Sequence, residues 1–271
     1  MQESIFLHKF NINLHKKIQK TKKLEVKIMY QAAFLFIIFL VFRVITGVFL
    51  FGTWRQTKKN NLLILVIFFF MNSVNLLFLV FGNVMLYDIF TILTMVVGLL
   101  FVDRTFYQDR KSPFKLLLAL ALVLGALTII TFIMFDLSII FQQNLAFFIH
   151  NIFVGALFVI FGLWSFIAAA GSLKTFSSSD AVEPWVKGRY KLVKFYSICI
   201  ILVGALTLFT PVEGTVNWAL LVILVTNVLR IAGETLAWIM PNFLKKYFNR
   251  GFTSPDIIED LSEEEILEAM K

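Results

Sequence analysis

Charge, proline, cysteine and histidine are all scarce in this chain, and each scarcity excludes something. Only 15% of the 271 residues are Asp, Glu, Lys or Arg, where soluble domains carry about 25%. So few charges cannot clothe a water-facing surface, and a water-soluble fold is not expected. The single cysteine, Cys199, rules out an internal disulfide and leaves the redox compartment unreadable. Five prolines are present and none falls inside a long apolar block, so no predicted span is interrupted. Of three histidines only His150 lies in an apolar block, too few for a seven-helix zinc hydrolase, which needs several inside the membrane. No metal and no cofactor is expected.

What the chain does have is 59% hydrophobic residues, 32 of them Phe, and a mean hydropathy of +0.84. The excess falls in seven blocks: Ile28–Gly52, Leu62–Phe81, Val84–Val102, Phe114–Phe135, Leu145–Gly171, Leu192–Thr210 and Val216–Met240. About 20 apolar residues cross a hydrocarbon core of about 30 Å as a helix. Backbone groups in lipid must bond internally, so only helices or closed barrels qualify, and continuous runs favour helices over alternating barrel strands. The expectation is an all-α, polytopic integral membrane protein: a seven-helix bundle over residues 28–240. A basic segment (1–27) precedes it and a polar tail (241–271) follows. The second and third blocks are joined at Gly82-Asn83, which predicts a tight hairpin. Ser172–Tyr190 reads as a polar loop, with a short helix as the alternative, and is too short for a domain. Gly155, Gly162 and Ala168–Gly171 read as close helix packing.

Basic residues set the orientation. Fifteen lysines and arginines follow the first, third, fifth and seventh blocks, whereas the other connections hold none. The positive-inside rule then puts the C-terminus in the cytoplasm and the N-terminus outside a cell membrane. The N-terminal segment opposes this with seven lysines. Lys9, Lys16, Lys20, Lys23 and Lys27 form one helical stripe opposite Leu7, Phe10, Leu14 and Ile18, a pattern suited to anionic lipid headgroups. The net charge of +8 is read as belonging to the membrane surface, with no nucleic-acid partner. At the other end, Gly251–Lys271 alternates Ile257, Ile258, Leu261, Ile266, Leu267 and Met270 with seven acidic residues. This pattern predicts an acidic amphipathic helix that docks on a basic groove, either of a cytoplasmic protein partner or of this protein's own loops with Arg110, Lys111, Lys187 and Arg189.

Apart from Lys115 and Lys194 at block starts, five charged or histidine side chains lie inside the blocks: Arg43, Asp88, His150, Arg230 and Glu234. Each costs about 2.5–3.5 kcal/mol or more at mid-helix, which makes each a functional candidate. Asp88, Arg43, Arg230 and Glu234 are expected to face the bundle interior and not lipid. Arg230 and Glu234 stand four residues apart and can pair along one helix face, with Asn227 beside them. Asn72 and Asn75 share a face of the second helix. Together these eight residues form the candidate ligand or ion pathway.

The pair Asp103-Arg104 at the end of the third block resembles the Asp-Arg-Tyr element of G-protein-coupled receptors over two residues. Thr105 stands in place of the tyrosine, and the seventh block ends Pro241-Asn242-Phe243-Leu244, not in the receptor order. These departures argue against membership. Enzyme signatures are missing: no lysine in the seventh block for a retinal Schiff base, no Gly-x-Ser-Gly before a span, and one spanning aspartate where aspartyl chemistry needs two. The expected function is a non-enzymatic receptor-like sensor or membrane scaffold with a polar intramembrane pocket. The alternative is a small-solute or proton/ion-coupled transporter.

Overall fold

A computed structural model describes residue 34 and residues 36–108, 111–136, 143–177, 182–210 and 218–252. Among these residues there are helices and turns and no strand. Seven helices are long and apolar enough to cross a membrane: α1 (Phe36–Thr57), α2 (Asn60–Val80), α3 (Val84–Phe106), α4 (Phe114–Asp136), α5 (Gln143–Ser177), α6 (Pro184–Thr207) and α7 (Trp218–Ile239). A short α8 (Asn242–Phe248) follows. The lysine stripe at Lys9, Lys16, Lys20 and Lys23 and the acidic tail beyond residue 252 lie outside the described residues.

Local chemistry explains where the helices stop. Gly82 adopts φ of +71°, the left-handed conformation that ends a helix without a Cβ penalty. The Asn83 side chain then accepts a hydrogen bond from the Leu86 amide at 3.1 Å and opens α3, so the predicted hairpin forms as two separate spans. Ser112 accepts from the Phe114 amide at 3.1 Å, ahead of α4. Pro184 occupies the first turn of α6, where a missing N–H costs nothing.

The Ser172–Tyr190 loop needs correction. α5 runs to Ser177 and α6 begins at Pro184, so most of that stretch extends two helices. At 1.5 Å per residue, the 35 residues of α5 span about 52 Å, well beyond an apolar core of about 30 Å. The pattern that suggested a loop, Ser-rich and carrying Lys174, Lys187 and Arg189, is the wet end of a helical pair.

α3 sits centrally against α2, α4 and α5, and α6 joins α5 to α7. α1 closes the bundle, touching α7 through Thr46 and Thr235 (3.3 Å between hydroxyl oxygens) and α2 through Gly47, whose added Cβ would rest on Phe70. The α5–α6 crossing is the tightest. A Cβ on Gly155 would meet the Gly204 carbonyl oxygen at 2.5 Å, and one on Gly204 would meet the Gly155 oxygen at 2.6 Å. Ala168 and Ala169 are buried as expected, but Gly171 faces open space.

α8 lies against α6. The ring of Phe248 occupies the space beside Gly188, where a Cβ would meet it at 2.8 Å. Asn249 clamps the start of α6: its Oδ1 accepts from the Trp185 amide at 3.0 Å, and its Nδ2 donates to Glu183 Oε2 at 2.7 Å. This is a helix cap supplied from another element. Asn249→Ala is therefore expected to destabilise the α6–α8 junction by about 0.5–2 kcal/mol, the usual worth of a cap. Hydrogen exchange should accelerate in the first turn of α6 and in α8 and stay unchanged in α2–α4.

Candidate functional site

Two polar clusters are buried between the spans; α3 and α5 position most of the first, and α1 and α7 the second. The first gathers near the α2–α3 hairpin. Asp88 (2% exposed) and His150 (8%) come from α3 and α5, with His150 Nε2 at 3.5 Å from Asp88 Oδ2. His150 Nδ1 lies 3.4 Å from the Thr128 carbonyl of α4, which can only accept. Nδ1 therefore carries the proton on that side. Asp88 Oδ2 has no aligned hydrogen-bond partner among the described residues, so its contact with Nε2 is one of proximity between an acid and an imidazole. Around it, Asn75 Nδ2 donates to Thr91 Oγ1 at 2.8 Å, and Thr91 donates to the Tyr87 carbonyl at 2.8 Å. Asn151 reaches Thr210 at 3.0 Å.

The second cluster joins the first and last spans. Arg43 of α1 (1% exposed) places Nη2 at 3.1 Å from Glu234 Oε2 of α7. The contact is an ion pair by distance without an aligned hydrogen bond, and Arg43 Nε and Nη1 have no hydrogen-bond partner among the described residues. Tyr196 of α6 is buried within electrostatic reach of Glu234.

The predicted pairing of Arg230 with Glu234 along α7 is corrected here. Among the described ion pairs Glu234 meets Arg43 and not Arg230. An i, i+4 spacing brings two side chains onto one face, but α1 packs near that face and brings the Arg43 guanidinium to 3.1 Å from the carboxylate. Arg43, Asp88 and Glu234 are buried outright, whereas Arg230, one turn away, is half-buried with its Nε fully enclosed. It stays within electrostatic reach of Arg43, Glu234, Tyr87 and Cys199.

The structure splits the remaining candidates. Asn75 joins the Asp88 cluster. Asn72 and Asn227 spend their amides on their own helices, donating at 3.1 Å to the Phe68 and Ile223 carbonyls. Thr46, Thr235 and Tyr196 were not singled out in the sequence. Nothing marks one threonine or tyrosine among many until helix neighbours are known.

A third feature lies at the end of the bundle where the lysines and arginines collect, hereafter the basic face. A cavity of about 380 Å³ opens there between α1, α2, α3, α6, α7 and α8. Lys59, Arg189 and Lys245 line it, above a floor that includes Leu50, Phe101 and Trp238. Trp238 stands one helical turn from Glu234, so α7 carries both the cavity floor and the ion pair.

The bundle and its buried polar clusters define the class: a multi-pass membrane protein, all-helical over the described residues, with seven helices there long and apolar enough to span. No protein-family model, curated protein or solved structure matches the chain.

Proposed function

We propose that this protein is a non-catalytic, receptor-like membrane sensor in which the Arg43–Glu234 pair couples α1 to α7. The observation that carries this reading is the pair itself, at 3.1 Å and with side chains 1% and 3% exposed. Charges that neutralise each other across two helices act as a latch between those helices. The same helices wall the cavity at the basic face through Thr53 and Trp238. A change at the pair is thereby delivered to the surface a partner can touch. The described spans run without a break, and carriers place substrates at unwound helices. By the distribution of lysine and arginine, the basic face is cytoplasmic, and the acidic segment at residues 251–271 is the docking element for a cytoplasmic protein.

Transport is the second reading, and one observation favours it: the unpaired N–H groups of Arg43 and Arg230 inside the spans. Reconstitution separates the two. The sensor reading expects no proton- or solute-driven flux in proteoliposomes that depends on Glu234. It also expects Glu234→Gln to change the distance between spin labels at exposed Gln56 and Lys246, introduced as Gln56→Cys and Lys246→Cys with Cys199→Ala. Flux abolished by Glu234→Gln, with an unchanged label distance, overturns it.

A further inference from the structure

We infer that Arg230, in the gap between α3 and α7, is the core of a binding site for a compact, singly charged anion, a halide or a carboxylate. The inference rests on the charges inside the spans and not on the sensor reading, because a sensor and a carrier can both hold such an anion.

The charges around this residue do not balance among the described residues. Arg43 is answered by Glu234 at 3.1 Å. The other groups within electrostatic reach of Arg230 are Tyr87 of α3 and Cys199 of α6, a phenol and a thiol that bring no charge at neutral pH. Asp88, the remaining spanning carboxylate, lies against His150 and is not among the groups that reach Arg230. Two guanidinium groups therefore share one carboxylate, and one positive charge is left over. An unanswered charge is far more costly in a span than in water. One anion of single charge restores the balance, whereas a doubly charged one would reverse it.

An independent observation says where the anion sits. Arg230 makes no hydrogen bond and no ion pair with a described residue. Of its three guanidinium nitrogens only Nε is enclosed, so the two terminal ones keep open surface. That surface is not on the outer side of α7. The exposed stripe of this helix is Leu221, Val222, Val225, Val228 and Leu229. At about 100° per residue, Arg230 points about 140° away from its centre at Val225. The opposite side is the gap. α3 and α7 do not touch along their backbones, and side chains bridge them: Phe101 meets Trp238 edge-on at 5.0 Å, and Tyr87 reaches towards Arg230. A guanidinium with two free terminal nitrogens is a fork that fits a carboxylate, and its weak hydration suits a site away from bulk water. The shared chemistry is one negative charge, carried by a halide or by a carboxylate group.

The test uses the full-length protein in phosphatidylcholine nanodiscs, exchanged into sodium isethionate as a bulky background anion. Sodium chloride and sodium acetate are titrated separately at constant ionic strength. Melting temperature reports occupancy, and the line width of chloride NMR reports the halide directly. Arg230→Gln is compared with Arg55→Gln, which removes an equal charge from an exposed position on the basic face. Arg230→Lys keeps the charge but loses the fork, and it serves should Arg230→Gln fail to fold.

One saturable site is expected. Affinity should fall about tenfold or more in Arg230→Gln, about threefold in Arg230→Lys and less than about twofold in Arg55→Gln. Saturation by chloride alone assigns a halide, saturation by acetate alone assigns a carboxylate, and saturation by both assigns a site that accepts either. No saturation by either probe overturns the inference. Affinity unchanged in Arg230→Gln, or equal loss in Arg230→Gln and Arg55→Gln, overturns it as well. Where only Arg230→Lys folds, unchanged affinity in that variant does the same.

Discussion

Replacing Arg43 with Leu should destabilise the protein by about 3–5 kcal/mol, because it strands the Glu234 carboxylate without a partner at 2% exposure. Glu234→Leu should cost a similar amount by leaving the guanidinium. The double variant Arg43→Leu/Glu234→Leu should lose less than either single one, since two apolar side chains of similar volume need no neutralisation. Melting in detergent with all three variants checks this. Losses that simply add would mean that the two charges do not share one interaction. Arg230→Leu offers the contrast. The half-buried Arg230 is not the carboxylate's partner, so its removal should cost less than that of Arg43.

The second large effect concerns the α5–α6 crossing. Gly155→Ala places a methyl group 2.5 Å from a backbone oxygen, and a backbone cannot swing aside as a side-chain end can. Destabilisation of about 1–3 kcal/mol is expected from overpacking. Gly204→Ala meets the same contact from the other side, at 2.6 Å, so the two losses should not add in the double variant. Gly171→Ala, sixteen residues further along α5, meets nothing within 4 Å. There the ordinary helix preference for alanine should win, with a gain of up to about 1 kcal/mol. Opposite signs for two Gly→Ala changes on one helix would be the signature of the crossing, and equal signs would refute it.

These cases also show how far a sequence carries in a membrane protein. The seven spans were legible because hydrocarbon imposes a length and leaves the backbone no choice of structure. The hairpin at Gly82-Asn83 was legible because its two residues have a conformational role that few others can fill. Asp88 and His150 were readable as candidates because ionisable groups are costly in lipid. Helix neighbours were not readable. Arg43 and Glu234 are separated by most of the chain, and only the packing of α1 on α7 sets them together, so the nearer spacing of Arg230 was misleading. The α5–α6 extension was missed because hydropathy measures what lies in lipid, whereas a helix continues into water as long as its residues allow it. The cavity was missed because a count of lysines and arginines says how many there are on one side, not that Lys59, Arg189 and Lys245 converge.

The overlong α5 has a mechanical consequence. From the crossing at Gly155 to its end at Ser177, α5 extends about 33 Å at 1.5 Å per residue. The backbone contact with Gly204 is a fulcrum with no slack, and α6 is pinned there too. A tilt of about 5° about that point therefore displaces the far end by roughly 3 Å, while the side chains at the fulcrum hardly move. The helical pair is a lever whose short arm is in the membrane and whose long arm reaches the basic face, where α8 rides on α6 through Asn249. Small angular changes among the spans become displacements at that surface comparable to a hydrogen-bond length.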